Sequence, residues 1–186
     1  MIELILFSFI LYWIVAAIGI TFGYHRYFAH NQYKTNSFIE VILLYFGLLC
    51  GARSPLTWAG VHRMHHAHAD TPEDPHSVKN YPWYVILFSL WRVETIPRKF
   101  IKDLLRNPRV MFFHNYGKYI FVAHWLLTFV IFGPTSLVVN SAFFVLAYLG
   151  FGILNLFGHN ESGPINNRWI SIIAPFEGNH RDHHGL

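Results

Sequence analysis

The 186-residue sequence holds a single cysteine, Cys50, so no intramolecular disulfide can form and no motif carries the cysteines of a structural zinc site. Charge is nearly as scarce. Asp, Glu, Lys and Arg make up 13% of the chain, against about 25% in ordinary soluble domains. The formal charge is +4, yet the basic residues form no run or stripe that would track a phosphate backbone, which argues against nucleic acid as the partner. Residues 1–22 and 121–157 contain no Lys or Arg at all. The apolar start of the chain therefore lacks a basic n-region, and a cleaved signal peptide is not expected. No internal repeat and no low-complexity linker interrupts the sequence, so 1–186 reads as one domain. Cys50 itself reads as a small apolar packing residue.

What is present in excess is apolar surface and histidine. Apolar residues make up 53% and aromatics 18%, the composition of a membrane protein. Residues 2–22 are almost unbroken apolar chain, about the 20 needed for one crossing. Residues 38–50 are apolar but cover only about 20 Å as a helix, too short to cross, and read as interfacial or re-entrant. A second short apolar stretch covers 81–91. In 95–107, Ile96, Phe100, Ile101, Leu104 and Leu105 share one helical face and Arg98, Lys99, Lys102 and Arg106 occupy the rest, the pattern of a basic amphipathic helix on a membrane surface or against its own domain. Two long apolar runs, 119–139 and 141–157, read as a transmembrane hairpin parted at Asn140. The expected fold is all-α and integral to the membrane, with three transmembrane helices plus interfacial amphipathic ones. All 14 cations then fall on the side that carries the histidine motifs, which the positive-inside rule makes cytoplasmic, leaving the amino terminus outside.

The densest chemistry lies in 58–77, WAGVHRMHHAHADTPEDPHS. On a helix His62, His65 and His66 stand at i, i+3 and i+4 and share a face. The same H-x-x-H-H spacing returns at His180, His183 and His184, although chance would supply only about 0.06 copies at this histidine content. Two further clusters, His25 with His30 and Asn155 with His159, fall on the same side of the membrane, the latter pair four apart and so expected on one helical face. Nine imidazoles exceed what one tetrahedral zinc can use; two five- or six-coordinate ions could absorb them, and nitrogen-rich sites with open positions suit iron and oxygen chemistry. His68, at i+6 from His62, is expected to point away, and His76 to hold an outer hydrogen bond. His114 reads as interfacial and His124 as a packing residue within a span. Asp70, Glu73, Asp74 and Asp182 are candidate acceptors that orient imidazoles, Asp182 foremost because it lies inside the third motif. Trp58, with Trp13, Tyr24 and Phe28, could line a substrate tunnel or simply pack.

HRYFAH, WAGVHRMHHAHADTPEDPHS and EGNHRDHH, in that order and separated by hydrophobic helices, resemble the membrane fatty-acid desaturases of the Δ9 type, the stearoyl-CoA and acyl-lipid desaturase family. The resemblance runs from about Gly19 to His184. It implies that His25, His30, His62, His65, His66, His159, His180, His183 and His184 bind two irons and that Asn155 holds a metal-bound water. It also implies a reaction, the O2-dependent introduction of a cis double bond, Δ9 by type, into a long acyl chain on CoA or a membrane lipid. Electrons are expected from a separate protein of the ferredoxin or cytochrome b5 type. The family usually carries another span before the one that opens this chain and a cytosolic region after the third motif. Three rivals compete: a membrane di-iron hydroxylase of a lipid or alkane, a metal transporter, and a bis-His haem cytochrome. A transporter would need more ionisable residues within its spans than His124. A haem protein would need His pairs buried between facing helices.

Overall fold

The opening apolar run, free of proline and glycine for its first eighteen residues, winds into α1 (Ile2–Ala16). It continues without a break as a π-helical segment (Ala17–Ala29), in the computed structural model of residues 2–185. Asn36 then accepts the Ile39 N–H at 3.0 Å and starts α2 (Ser37–Leu49), which returns antiparallel along the π segment. The two backbones touch: a Cβ at Gly19 would collide with the Gly47 amide, and one at Gly47 with the Tyr24 ring. Small residues at such a crossing are what let two apolar helices approach closely. Ser54 caps α3 (Pro55–His68), with Pro55 in the first turn, where its missing N–H costs nothing.

Between α3 and the next long helix the chain makes a short helix, α4 (Trp83–Leu87), and two single 3-10 turns at Arg98–Phe100 and Leu104–Arg106. The expected continuous amphipathic helix over 95–107 is therefore absent. Ile96 and Ile101 press onto α3 at Gly60, and Arg63 of α3 takes the Phe100 carbonyl at 2.8 Å, so contact with its own domain overrides the helical periodicity. Asn107 then caps α5 (Pro108–Phe132), accepting from the amides of Arg109 and Val110. Buried Glu40 of α2 binds Arg109 at 2.7 Å and locks the two helix starts together.

α5 turns back into α6 (Thr135–Phe157) at Gly133 and Pro134, with Gly133 at φ +65°. The hairpin thus turns there rather than at Asn140, which lies inside α6 and donates to Thr128 across the pair at 2.9 Å. A Gly-Pro pair can take that sharp turn; an Asn inside a continuous apolar run gives the helix no reason to stop. After α6 come a two-residue antiparallel pairing, β1 (His159–Asn160) with β2 (Gly163–Pro164), and the short helices α7 (Ile170–Ile173) and α8 (His180–His184).

Two helices among the described residues are long and apolar enough to cross a membrane, Ile2–Ala29 and Thr135–Phe157. α5 is of similar length, but Arg109, His114 and Lys118 occupy its first three turns. Large apolar side chains face outward along these helices, Val130 at 80% exposure and Phe132 at 67%, a surface suited to lipid rather than water. The core lies between α1, the π segment, α2 and α6 around Tyr12, Tyr24, Leu44 and Ala147.

Candidate metal centre

The π winding decides where the first two histidines point. In an α-helix, residues five apart lie about 140° from facing each other. Here the His30 N–H bonds the His25 carbonyl five residues back at 3.0 Å, and the rings of His25 and His30 sit 5.0 Å apart. On α3, His62 and His66 share a face at 4.5 Å while His65 turns to the neighbouring one. α8 repeats this: His180 and His184 fall together and His183 apart.

All nine rings anticipated as ligands meet, in two groups. His25, His30, His62, His66 and His183 form one, and His65, His159, His180 and His184 the other; in each, the candidate ligand atoms lie within 4.8 Å of one another. The two H-x-x-H-H motifs split in complementary ways, His62 and His66 joining His183, and His65 joining His180 and His184. His66 and His184 stack across the boundary, 4.1 Å apart and 8° from parallel. Within the first group Nε2 atoms face each other, His25 to His183 at 2.7 Å, His30 to His62 at 2.9 Å and His183 to His66 at 3.0 Å. In the second, His180 Nε2 lies 3.0 Å from that of His159 and 3.1 Å from that of His184. Neighbouring nitrogens bound at about 2.1 Å to one octahedral ion stand about 3.0 Å apart, so the donor set fits a six-coordinate metal.

Three rings are oriented by carboxylates. His25 Nδ1 donates to Glu177 at 2.9 Å, His65 Nδ1 to Asp74 at 2.9 Å and His159 Nδ1 to Asp70 at 3.1 Å. Each bond puts the ring proton on Nδ1 and turns an Nε2 lone pair to the centre. Backbone strain sits at two of these positions: Asp70 has φ +61°, and Phe176, just before Glu177, has φ +64°. Asp182 does not serve this role. Its side chain is 63% exposed, with Arg181 4.0 Å away, and the buried Glu177, three residues before His180, takes the position instead. Its one sequence signal was an acid in an otherwise apolar stretch, APFEGNH.

Electrostatics favour neutral rings. Burial pushes His30 down to about 4, helped by the charges of His25 and Arg63, and burial with crowding by other imidazoles lowers His62, His66, His180, His183 and His184. Burial acts to raise the Asp74 carboxyl, but the hydrogen bonds from the His65 ring and the His76 amide outweigh it and hold it near 2. Neutral imidazoles are ready to take a metal without first losing a proton.

Asn155 and His159 do not share a helical face. α6 ends at Phe157, and His159 stands on β1, placed by Asp70 rather than by the helix. Asn155 instead lines a cavity of about 340 Å³ that runs from His25, His62, His65 and His180 to Tyr12 on α1 and Phe151 on α6. Trp58 lines the same cavity and stacks on His62, 5.0 Å and 14° from parallel; Tyr24 and Phe28 are buried in the core beside it. His76 is buried, lies 4.3 Å from His65 ring to ring, and with Asp74 forms a third set of potential ligand atoms. His68 faces Phe100, His114 bonds Ser54 at 2.7 Å, and His124 bonds Tyr45 at 2.8 Å.

The fatty acid desaturase family model matches residues 4–185. This chain belongs to that family. It is 32% identical over 191 residues to the sn-1 stearoyl-lipid 9-desaturase of Anabaena variabilis, covering 95% of this chain and 70% of the relative. It is 29% identical to the sn-2 palmitoyl-lipid 9-desaturase of Nostoc sp. (strain 36), over 94% and 67%. With the acyl-CoA Delta(11) desaturase of Trichoplusia ni it shares 39% over 82 residues, 44% of this chain and 23% of that one. The protein is accordingly an oxidoreductase of fatty-acid metabolism in a membrane-associated family that generally uses two irons.

Proposed function

We propose that this desaturase introduces a cis double bond, at Δ9, into a long-chain acyl group of a membrane lipid or CoA thioester. The observation that carries the reading is the convergence of nine imidazoles, in groups of five and four, against a largely apolar cavity that His25, His62, His65 and His180 line. In this reading the two groups hold one iron each, with Asn155 placed to hold a water. Two bound irons would supply the oxidant, drawn from O2, that no side-chain acid or base can supply against an unactivated methylene.

The chain's own residues do the rest. Glu177, Asp74 and Asp70 fix the tautomer of His25, His65 and His159. Trp58, packed on His62, forms a flat wall that keeps an acyl chain against the imidazoles. Ala16, Ile20, Val61 and Phe151 line the cavity beside it and exclude water. Tyr12, whose hydroxyl bonds the Ile173 carbonyl, also lines the cavity. Similarity to 9-desaturases of lipid-linked acyl chains along nearly the whole sequence supports the position and the lipid-linked substrate.

The same reading takes α1 with its π extension, α5 and α6 as three crossings within one desaturase domain. The basic residues and the metal centre then lie on the cytoplasmic face, where a separate electron-transfer protein of the ferredoxin or cytochrome b5 type delivers reducing equivalents. Expression in a host without unsaturated-fatty-acid synthesis tests the proposal. A new Δ9 olefin located by mass spectrometry, lost in His65→Ala and His183→Ala, is the expected outcome. An alcohol would instead indicate a hydroxylase, and iron-free active protein would overturn the metal assignment.

A further inference from the structure

A second concavity, of about 610 Å³, opens between the end of α2, the start of α3 and the α5–α6 hairpin. Gly51 and Arg53 line both it and the histidine cavity, so the two are neighbours across one turn of chain. One half of its wall is apolar: Leu48, Phe113, Phe121, Val122 and Phe144. The other half carries Arg53, Lys118, His114 and Ser54, and among the described residues no carboxylate lines it. Among the described residues neither Arg53 nor Lys118 has a carboxylate within 4.0 Å. Each cation rests on an aromatic face instead, Arg53 4.4 Å over Trp91 with one nitrogen bonded to the Trp91 carbonyl, and Lys118 4.9 Å over Tyr119.

The position along α5 indicates what this trough meets. After Lys118 no Asp, Glu, Lys or Arg follows before the helix ends at Phe132, so the trough sits where polar turns give way to apolar ones. Phe112, Tyr116 and Tyr119 stand exposed at that level, as aromatic residues do at a membrane–water boundary. An occupant must therefore offer a negative group at the polar end and a hydrocarbon chain at the other.

We propose that the trough binds one anionic phospholipid, its phosphate on Arg53 and Lys118 and an acyl chain along Phe113, Phe121 and Phe144. A zwitterionic lipid fits less well, because the wall offers its ammonium group no carboxylate. A lipid seated there would stand against the shared Gly51–Arg53 wall of the histidine cavity. The site is independent of whether that cavity performs desaturation.

Native mass spectrometry of the purified full-length chain, titrated with phosphatidylglycerol against phosphatidylcholine, tests this. One phosphatidylglycerol should be retained in preference to phosphatidylcholine. A basic residue near a lipid headgroup contributes about five-fold in affinity, so Arg53→Gln/Lys118→Gln should bind about 30-fold more weakly. Lys99→Gln/Lys102→Gln, which removes the same charge from the turns before α5, should change binding less than about two-fold, since it leaves the trough intact. Lys118→Glu alters an exposed side chain and so leaves folding aside; it should also abolish the preference. Equal retention of phosphatidylcholine, displacement by inorganic phosphate alone, equal loss in the control pair, or undiminished binding by Lys118→Glu would each overturn the proposal.

Discussion

Removing the carboxylate behind His25 tests whether the five-histidine group holds its metal through an oriented ring. Glu177 is 7% exposed and accepts the Nδ1 proton at 2.9 Å, so no water can replace it without rearrangement. A hydrogen bond to a charged acceptor contributes about 1.5–3 kcal/mol and one to a neutral acceptor about 0.5–1.5 kcal/mol. Glu177→Gln keeps an acceptor and loses the charge, so it should weaken metal retention about ten-fold. Glu177→Leu loses both, which on this scale approaches 100-fold, the upper end for such outer carboxylates. Asp182→Asn, altering an exposed acid, should have no effect. The assay is iron content by elemental mass spectrometry after dialysis against graded chelator, alongside thermal unfolding of the metal-free forms to separate metal loss from misfolding. If Glu177→Leu kept its full iron content, or Asp182→Asn lost as much, the orientation argument would be refuted.

Three further outcomes follow from the same geometry. Gly19→Ala should cost about 3 kcal/mol or prevent folding, since its new Cβ would meet backbone that cannot move aside; detergent-solubilised thermal stability reads this directly. Arg63 donates to the carbonyls of Phe28, Ala29 and Phe100 at 2.7–2.8 Å, so Arg63→Met should lose about 3–5 kcal/mol, with the half-exposed Asp103 pair adding little; a melting point within a degree of wild type would contradict this. In metal-free protein His30 titrates near 4 when folded against about 6.5 when unfolded, so between those values the unfolded chain binds more protons. Stability should be full above about pH 6.5 and decline as pH falls towards 4, and a thermal midpoint unchanged between pH 7.5 and 5 would argue against buried neutral rings.

Six of the nine ring positions, His62, His65, His66, His180, His183 and His184, were legible from spacing because H-x-x-H-H is an α-helical address that puts those rings on adjacent faces. Three things were not. H-x4-H matches no α-helical face, and the wide winding that reconciles it runs through the stretch where Gly19 and Gly23 pack closely against α2. Carboxylate partners depend on loop paths: Asp70 and Glu177 are positioned by turns with left-handed residues, a geometry that charge patterning does not reveal, and proximity in sequence favoured the wrong acid, Asp182. Helix ends were misjudged where apolarity ran on through a turn, at Gly133, or where periodicity met a competing contact, at Arg63 and Phe100. The membrane character was legible in hydropathy, in long apolar runs such as 2–22 and 141–157 that no charge other than Glu3 interrupts.

The π winding between His25 and His30 makes residue count and helical pitch interchangeable at this one place. Four residues in a wide turn and three in an ordinary α-turn both bring two rings to the same face. Loss of one residue from Arg26 to Ala29, with the coil tightening to match, would leave the pair facing; the same loss between His62 and His66 would swing one ring about 100° away. Length variation in this family should therefore collect in the first motif, whereas the spacing of the second and third stays fixed by the helices that carry them.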